Sequence, residues 1–315
     1  MGNHKERGGF PMTNATPAPK KHRFWTMERK QSVAGWCFLA PAAILIVVFS
    51  FWPMFQALLT SFKRGLPTAL TYSDPLWRNY QRILQDRVFL QSVSNTFAYL
   101  IIQVPIMLVL AIIFASLLNN RDLKFRGVFR TCIFLPCATG LVAYSMIFRT
   151  LFTYDGMINA LLMNVGILSE PINWLNDPFY AKVVIILGLI WRWTGYNMVF
   201  FLSGMQSIEY SIYEAARIDG ANQFQQLMKI TIPLLKPIIL VTGIMSINGT
   251  LQLFDESVNL TKGGPANMTI TMSHYIYNTM FTKNPNFGYA AAMSFVILIM
   301  VAVLSAIQMK VGDKR

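Results

Sequence analysis

Charged side chains are scarce in this sequence. Only 13% of its 315 residues are Asp, Glu, Lys or Arg, whereas 54% are hydrophobic, and the mean hydropathy is positive. In a soluble domain about a quarter of the residues are charged, because the surface must be solvated. The composition therefore excludes an ordinary soluble domain and indicates a membrane protein.

Side chains that form catalytic or metal sites are also few. The cysteines lie within or at the edge of apolar runs without paired spacing, so we expect them to be small packing residues. The histidines are scattered, and no cluster of His, Ser or carboxylates falls within the apolar runs. The sequence thus predicts no catalytic residue, no metal site and no cofactor. The residues concerned are Cys37, Cys132, Cys137, His4, His22 and His274.

A phosphate-binding loop is absent as well. No Gly-x-x-x-x-Gly-Lys-Ser/Thr segment occurs, so we do not expect this chain to hydrolyse ATP by the usual P-loop route. The chain is therefore not expected to be an enzyme. If ATP drives its function, the nucleotide must be bound by a separate partner subunit.

Long apolar runs, in contrast, are abundant. A helix that crosses the hydrocarbon core needs about 20 apolar residues, and six runs reach or approach this length. Transmembrane strands would instead be alternating segments of about 10 residues. We therefore expect an all-α polytopic membrane protein with six transmembrane helices, some of them bent by proline. The predicted spans are residues 36–59, 97–118, 131–148, 183–202, 238–254 and 289–307.

The basic residues predict the orientation of these spans. Residues 1–33 form a basic tail without the apolar core of a signal peptide, and we expect this tail to be disordered. Most of the 27 Lys and Arg residues lie in this tail, in loops at 119–130 and 207–237, and in a tail at 310–315. Six spans put all four segments on one side, which the positive-inside rule makes cytoplasmic. Residues 34–309 are then the membrane domain.

One basic cluster does not fit this pattern. Lys63, Arg64, Arg78, Arg82 and Arg87 follow the first span on the predicted outer side. The opposite orientation would export the more basic N-terminal tail, so we expect cytoplasmic N and C termini. The net charge of +13 then mostly attracts the cytoplasmic face to anionic membrane lipid, and nothing indicates a nucleic-acid partner.

A charged, glycine-containing loop lies between the fourth and fifth runs. Ser211 and Glu214 have capping-box spacing, which predicts a helix from about Ile212. Asp219 and Gly220 predict a turn. Asn222 with Gln225 predicts a second cap, before a short helix that ends ahead of Pro233. The alternative is a plain amphipathic connector on the membrane surface.

The spacing in this loop resembles that of binding-protein-dependent ABC importer permeases. The match runs from Glu-Ala-Ala through Gly220 to an Ile-x-Ile-Pro segment, with Ile232 where leucine is usual. The resemblance implies that residues 214–233 dock into a groove on an ATPase subunit, with Glu214 and Gly220 as coupling positions. The implied coupling residues are Glu214, Ala215, Ala216, Asp219, Gly220, Ala221 and Pro233.

Polar residues within the spans mark a candidate substrate path, because they are costly in a membrane. Arg192 lies mid-span between tryptophans, and aromatic planes beside hydrogen-bond donors suit a sugar face. In the fifth run, polar residues recur at helical spacing and predict one face. A structural ion pair of Arg192 with Asp255 or Glu256 is the alternative. The candidates are Arg192, Trp193, Gly195, Tyr196, Asn197, Asn248, Gln252, Asp255 and Glu256.

Further segments narrow the resemblance. Residues 193–198, 202–208, 260–265 and 287–293 are similar to the first permease subunit of maltose-type carbohydrate importers, and the likeness covers nearly everything after residue 34. It implies a bacterial cell-membrane protein that takes up a sugar or oligosaccharide. The implied partners are a second homologous permease, two ATP-binding cassette subunits and an extracytoplasmic binding protein.

Two other functions stay open at this point. An ion-coupled secondary transporter would use Arg192 with Asp255 or Glu256 as coupled groups, but it leaves the loop motif unexplained. An ABC permease for an anionic substrate, such as glycerol phosphate or an acidic oligosaccharide, would use Arg192 to bind the anion.

Overall fold

The computed structural model describes residues 2, 27–65, 68–120, 122–282 and 285–312. Most of the expected N-terminal tail lies outside these ranges. Residues 27–33, which we assigned to that tail, form the first turns of a helix instead. Residues 310–312 of the expected C-terminal tail likewise end the last helix, and residues 313–315 lie outside the description.

The described residues form α-helices, one short β-ribbon and three π-helical segments, Val47–Phe51, Leu227–Thr231 and Ser257–Thr261. The chain divides into two compact units, residues 1–55 and 56–315. The helices are α1 Met27–Ile46, α2 Trp52–Ser61, α3 Arg78–Gln85, α4 Arg87–Asn119, α5 Arg126–Ala138, α6 Leu141–Leu151, α7 Met157–Asn164, α8 Pro178–Gln206, α9 Tyr210–Ile218, α10 Gln223–Gln226, α11 Ile232–Leu251, α12 Met272–Phe281 and α13 Phe287–Gly312. Strands β1 Lys63–Arg64 and β2 Thr71–Tyr72 pair antiparallel.

Five helical segments are long and apolar enough to cross a membrane, and a bent helix pair makes a sixth candidate. Each overlaps one predicted run, so the expected all-α polytopic fold is confirmed. The segments are Gln31–Ser61, Arg87–Asn119, Pro178–Gln206, Gln223–Leu251 and Phe287–Gly312, with the pair Arg126–Ala138 and Leu141–Leu151.

The third span is not the single helix predicted over residues 131–148. Helices α5 and α6 meet at an angle of 98°. Thr139 and Gly140 between them are extended, with ψ of 142° and 139°, and the Thr139 hydroxyl donates to the carbonyl of Pro136 at 2.6 Å. A side chain that satisfies a carbonyl in this way replaces the backbone bond that would have continued the helix.

Two π-helical turns carry long helices past prolines. Val47–Phe51 precedes Pro53, and Leu227–Thr231 precedes Pro233. Proline lacks an N–H, and its ring clashes with the carbonyl four residues earlier. The wider turn, with bonds to the fifth residue, displaces that carbonyl and keeps the helix continuous.

Helices α4 and α8 form the centre of the larger unit. Ala111 and Ala115 on α4 are fully buried and face Met198 and Phe201 of α8, with Leu235 of α11 completing the cluster. Small side chains at such positions let membrane helices approach closely.

Candidate coupling loop and transport path

The motif loop begins with α9, close to the predicted start at Ile212. The predicted capping box of Ser211 and Glu214 is wrong. The N-cap is Glu209, which makes no side-chain cap bond, and the Ser211 hydroxyl donates to the Glu209 carboxylate at 3.4 Å. Ser211 lies inside the helix, so its side chain is not placed to cap the first free amides.

Helix α9 ends in a Schellman motif built on Gly220. The Gly220 amide donates to the Arg217 carbonyl at 3.0 Å, and the Ala221 amide donates to the Ala216 carbonyl at 2.9 Å. These two bonds satisfy carbonyls that the helix end leaves free. The φ of Gly220 is 77°, a conformation that a Cβ disfavours. The turn predicted at Asp219 and Gly220 is therefore confirmed.

The second helix of the loop has the predicted cap and a different end. The Gln225 amide donates to the Asn222 side chain at 2.8 Å, and the Asn222 amide donates to the Gln225 side chain at 2.9 Å. Helix α10 then continues through the π turn into α11, so the prediction of a helix end ahead of Pro233 is wrong. The second helix of the loop is the start of the fifth span.

Side-chain bonds hold the turn of the loop rigid. The Tyr213 and Thr231 hydroxyls lie 2.9 Å apart, and the side-chain amide of Gln226 donates to the Ala221 carbonyl at 2.8 Å. The two arms of the loop are thereby tied to each other.

The outer surface of the loop is open. Ile218 is 87% exposed and Phe224 is 66% exposed, so two apolar side chains flank the turn. Both side chains are thus available for contact with another protein. Of the predicted coupling residues, Ala216 and Ala221 are half-buried, and the exposed ones are Glu214, Ala215, Asp219, Gly220 and Pro233.

Arg192 is buried, with 6% of its surface exposed. Its guanidinium donates to the carbonyl of Thr139 at 2.9 Å and lies 5.2 Å from the centre of the Tyr144 ring. Its Nε has no hydrogen-bond partner. Glu256 is buried as well, yet Arg192 forms no salt bridge with it or with Asp255 within the described residues. Arg192 thus binds the carbonyl at the break in the third span.

The polar residues of the fifth run do not share one helical face. Helix α11 ends at Leu251, and the carbonyl of Leu253 accepts from the Thr271 hydroxyl at 2.6 Å. That tertiary bond replaces a helical one, so the assumption of a continuous helix through Glu256 is wrong.

Each of these polar residues therefore has its own environment. Gln252 is exposed, Asp255 is half-buried, and Glu256 is 3% exposed. Asn248 accepts from the Ser305 hydroxyl of α13 at 3.3 Å. Asn248 therefore connects two helices, while Gln252 and Asp255 remain accessible from outside the chain.

Asn197 of α8 joins a buried hydrogen-bond network that the sequence analysis missed. Asn197 donates to the Met107 sulfur at 3.5 Å, Gln103 donates to the same sulfur at 3.1 Å, and the Thr250 hydroxyl donates to Gln103 at 3.2 Å. Gln103 was the available signal, because it is an amide within an otherwise apolar run. The network ties α4, α8 and α11 together.

The aromatic residues of α8 form a row, and Gly195 serves packing. The Trp193 and Tyr196 ring centres are 5.8 Å apart, and those of Tyr196 and Phe200 are 5.1 Å apart. A Cβ on Gly195 would lie 2.0 Å from the carbonyl oxygen of Ile133 in α5. Gly195 therefore permits close contact between α8 and the broken span. The sequence pattern alone did not indicate this packing role.

Asp86 joins three helices and was also missed. One carboxylate oxygen accepts from the amides of Val88 and Phe89 at 3.0 and 3.2 Å, and the other accepts from the Tyr275 and Tyr289 hydroxyls at 2.7 Å each. Burial acts to raise the pKa of Asp86, but these hydrogen bonds outweigh it and the pKa is lowered. Burial and the bond to Asp86 raise the pKa of Tyr275 to about 12.

A many-spanned helical protein with a rigid, exposed helix–turn–helix loop and a partly polar interior has the form of a membrane transport subunit. The described residues contain no group of three or more His, Cys, Asp and Glu side chains that could hold a metal ion. The chain belongs to the family of binding-protein-dependent transport system inner membrane components, whose model matches residues 85–313. It is therefore a multi-pass membrane permease.

Curated relatives extend over almost the whole chain. A lactose transport system permease protein of Rhizobium radiobacter is 49% identical over 92% of this chain and 97% of the relative. An arabinooligosaccharides transport system permease protein of Halalkalibacterium halodurans is 34% identical over 92% of this chain and 91% of the relative.

A solved structure has the same fold. The bacterial ABC transporter involved in the import of the acidic polysaccharide alginate contains a chain that superposes with a TM-score of 0.78 at 21% identity, covering 91% of this chain and 97% of that one.

Proposed function

We propose that this chain is the transmembrane permease subunit of an ATP-driven importer for a sugar or oligosaccharide. Family membership supports the importer class, and the relatives named for lactose and arabinooligosaccharides support the carbohydrate. The observation that carries the proposal is the rigid turn at Gly220, which presents Ile218 and Phe224 to a partner.

Motion of the loop is the proposed coupling step. When the ATPase subunits close on ATP, they would pull the loops of two permease subunits together. Because α10 runs through a π turn into α11 without a break, a displacement of the turn reaches the fifth span as motion of one continuous helix. That motion would switch the cavity between inward-facing and outward-facing states.

The partners follow from this mechanism. A second homologous permease would complete the path, two ATP-binding cassette subunits would hold the loops, and an extracytoplasmic binding protein would deliver the substrate. The accessible Gln252 and Asp255 are proposed to face the path between the two permeases. Arg192 binds the Thr139 carbonyl through one guanidinium nitrogen, whereas its Nε has no partner, so an importer for an anionic substrate stays the alternative.

Purification of the chain from its native membrane in mild detergent, with mass spectrometry of the co-purifying chains, tests the proposal. Recovery of an ATPase and a second permease would support it. Uptake of a sugar into vesicles by the assembly should then require ATP and the binding protein. A chain that purifies alone and transports without ATP would overturn the proposal in favour of an ion-coupled transporter.

A further inference from the structure

An open cavity of about 880 Å³ lies along α3, between β1 and the start of α13. Arg64, Arg78 and Arg82 line it, together with Leu84 and several side-chain amides. No carboxylate is among these described lining residues. The three arginines belong to the basic cluster that breaks the charge pattern of the predicted outer side, and the proposed transport path does not use them.

Within the described part of the chain, none of these three arginines forms a salt bridge with a carboxylate. Arg78 and Arg82 lie one turn apart on α3, and like charges at this spacing destabilise a helix. Arg82 lies 4.3 Å from the centre of the Tyr289 ring, a contact that orients the cation without cancelling its charge. The Asp86 carboxylate, one turn after Arg82, accepts from two tyrosine hydroxyls and does not pair directly with an arginine. An anionic ligand would relieve the repulsion.

The helix that carries the cations is fixed in place. Asn79 is 5% exposed and donates to the carbonyls of Ser61 and Lys63 at 2.7 and 2.9 Å. The Ser61 and Tyr80 hydroxyls lie 2.8 Å apart. These bonds tie α3 to the end of α2 and to β1. The arginines are therefore held at the cavity by rigid structure, which lowers the entropy cost of binding a ligand.

Apolar groups beside the cations indicate the chemistry of that ligand. Trp77 is 61% exposed and Leu84 is 75% exposed, and Trp77 packs edge-on against Phe62 with ring centres 5.4 Å apart. Tryptophan and arginine at the end of a span are typical of the membrane–water interface. A free anion would satisfy the arginines and leave Trp77 and Leu84 in water, whereas a phospholipid would cover both groups.

We propose that this cavity binds the headgroup of an anionic phospholipid, with its phosphate at Arg78 and Arg82 and its acyl chains against Trp77 and Leu84. The inference does not depend on the transported substrate or on the coupling loop. It is distinct from the general attraction to anionic lipid expected at the cytoplasmic face, because these arginines lie on the predicted outer side.

Titration with phosphatidylglycerol tests the site, using the full-length chain with its co-purifying subunits in mild detergent and native mass spectrometry to count bound lipid. The test variant is Arg78→Gln with Arg82→Gln. The matched control is Arg126→Gln with Arg130→Gln, an exposed pair on α5 with the same spacing. We expect the test variant to lose about 25-fold in affinity, about fivefold per arginine, and the control to bind as the wild type.

Further arms separate the alternatives. Arg78→Gln alone leaves the contact of Arg82 with Tyr289 intact and should still lose about fivefold. Phosphatidylcholine should bind wild type and variants equally. Equal loss in the control pair, unchanged binding in the test pair, or displacement of the lipid by inorganic phosphate at matched concentration would each overturn the lipid site. If the test variant binds lipid normally but no longer responds to the extracytoplasmic binding protein, the lipid site is overturned. The arginines would then bind an acidic surface of that protein.

Discussion

Arg192 stabilises a defect in the helix bundle. Its guanidinium donates to the Thr139 carbonyl at 2.9 Å, at the C-terminal end of α5. A helix end leaves carbonyls without partners, and a cation there is favourable. Stacking near Tyr144 and Trp193 keeps the side chain in place. A charge that would otherwise be costly within a membrane span is thus used to hold the broken span against α8.

Replacing Arg192 by Met should therefore affect stability before substrate affinity. The change leaves the Thr139 carbonyl without its donor, which costs about 1.5–3 kcal/mol for a bond from a charged group. Thermal unfolding of the purified complex should shift down, while the substrate concentration for half-maximal uptake stays constant. Unaltered stability with a changed half-maximal concentration would instead assign Arg192 to substrate contact.

Glycine is required at position 220 by its backbone conformation and not by steric crowding. A Cβ at this position would meet nothing within 4 Å, but φ is 77°. Gly220→Val should therefore distort the turn, at a cost of about 1–2 kcal/mol or more for a β-branched side chain, and abolish uptake and stimulated ATP hydrolysis with normal membrane insertion.

Gly220→Asn is the matched control for this prediction, because asparagine tolerates the left-handed region. It should retain most uptake in the same vesicle assay. Full activity of the valine variant would exclude a role for the turn conformation in coupling.

At the scale of elements, the broken third span and the π turns are places where regular helical hydrogen bonding is interrupted. The break is held by Thr139 and Arg192, and the π turns Val47–Phe51 and Leu227–Thr231 each end two residues before a proline. Irregular backbone within a membrane is tolerated where it is covered by protein. At Gly195 the backbone of α8 packs directly against the backbone of α5, with no room for a side chain between them.

Gly195→Ala should separate these two helices. The added Cβ would lie 2.0 Å from the Ile133 oxygen, which belongs to the backbone and cannot rotate away. We expect loss of the folded complex, measured as monodisperse protein after detergent extraction. Gly249→Ala in α11 meets nothing within 4 Å and should be neutral or stabilising by about 0.5–1 kcal/mol. Equal behaviour of the two variants would contradict the close approach.

The contact of Asp86 with Tyr275 should be pH-dependent. The pKa of Asp86 is lowered from its usual 3.8, so the ionised carboxylate contributes stability above about pH 4. That contribution is lost as the pH falls through the lowered pKa. Tyr275→Phe should cost about 1.5–3 kcal/mol at neutral pH, and the difference from wild type should close below about pH 4.

Thermal unfolding of the purified complex across this pH range is the measurement for Tyr275→Phe. Tyr277→Phe is the control, because that side chain lies on the same helix. Within the described residues its ring packs against Phe254 and Phe281, and its hydroxyl forms no hydrogen bond. A gap that persists unchanged at acid pH would show that the Tyr275 hydroxyl does not act through the carboxylate.

At the scale of the whole molecule, orientation is the property that charge alone predicts. In a variant without the native cysteines, Ile218→Cys should react with a membrane-impermeant maleimide only in inverted vesicles, because the distribution of basic residues predicts a cytoplasmic loop. Val165→Cys, at a position that is 72% exposed after α7, should react only from the opposite side. The reverse labelling pattern would overturn the orientation.

Composition and short-range pattern were sufficient for several conclusions about this protein. Apolar runs predicted the spans because the hydrocarbon core imposes a minimum length, and the loop spacing predicted the turn at Gly220 because the backbone there requires glycine. The cap of Asn222 with Gln225 is equally local. None of these features needs a distant partner.

Tertiary structure decided what depends on contacts between distant residues. The Thr271 hydroxyl binds the Leu253 carbonyl just beyond the end of α11, and Arg192 binds the carbonyl of Thr139, 53 residues away in the chain. Asp86 likewise joins residues that lie 189 and 203 positions further along. Periodicity cannot reveal such bonds, because a hydrogen-bond partner is determined by how the helices pack and not by spacing within one of them.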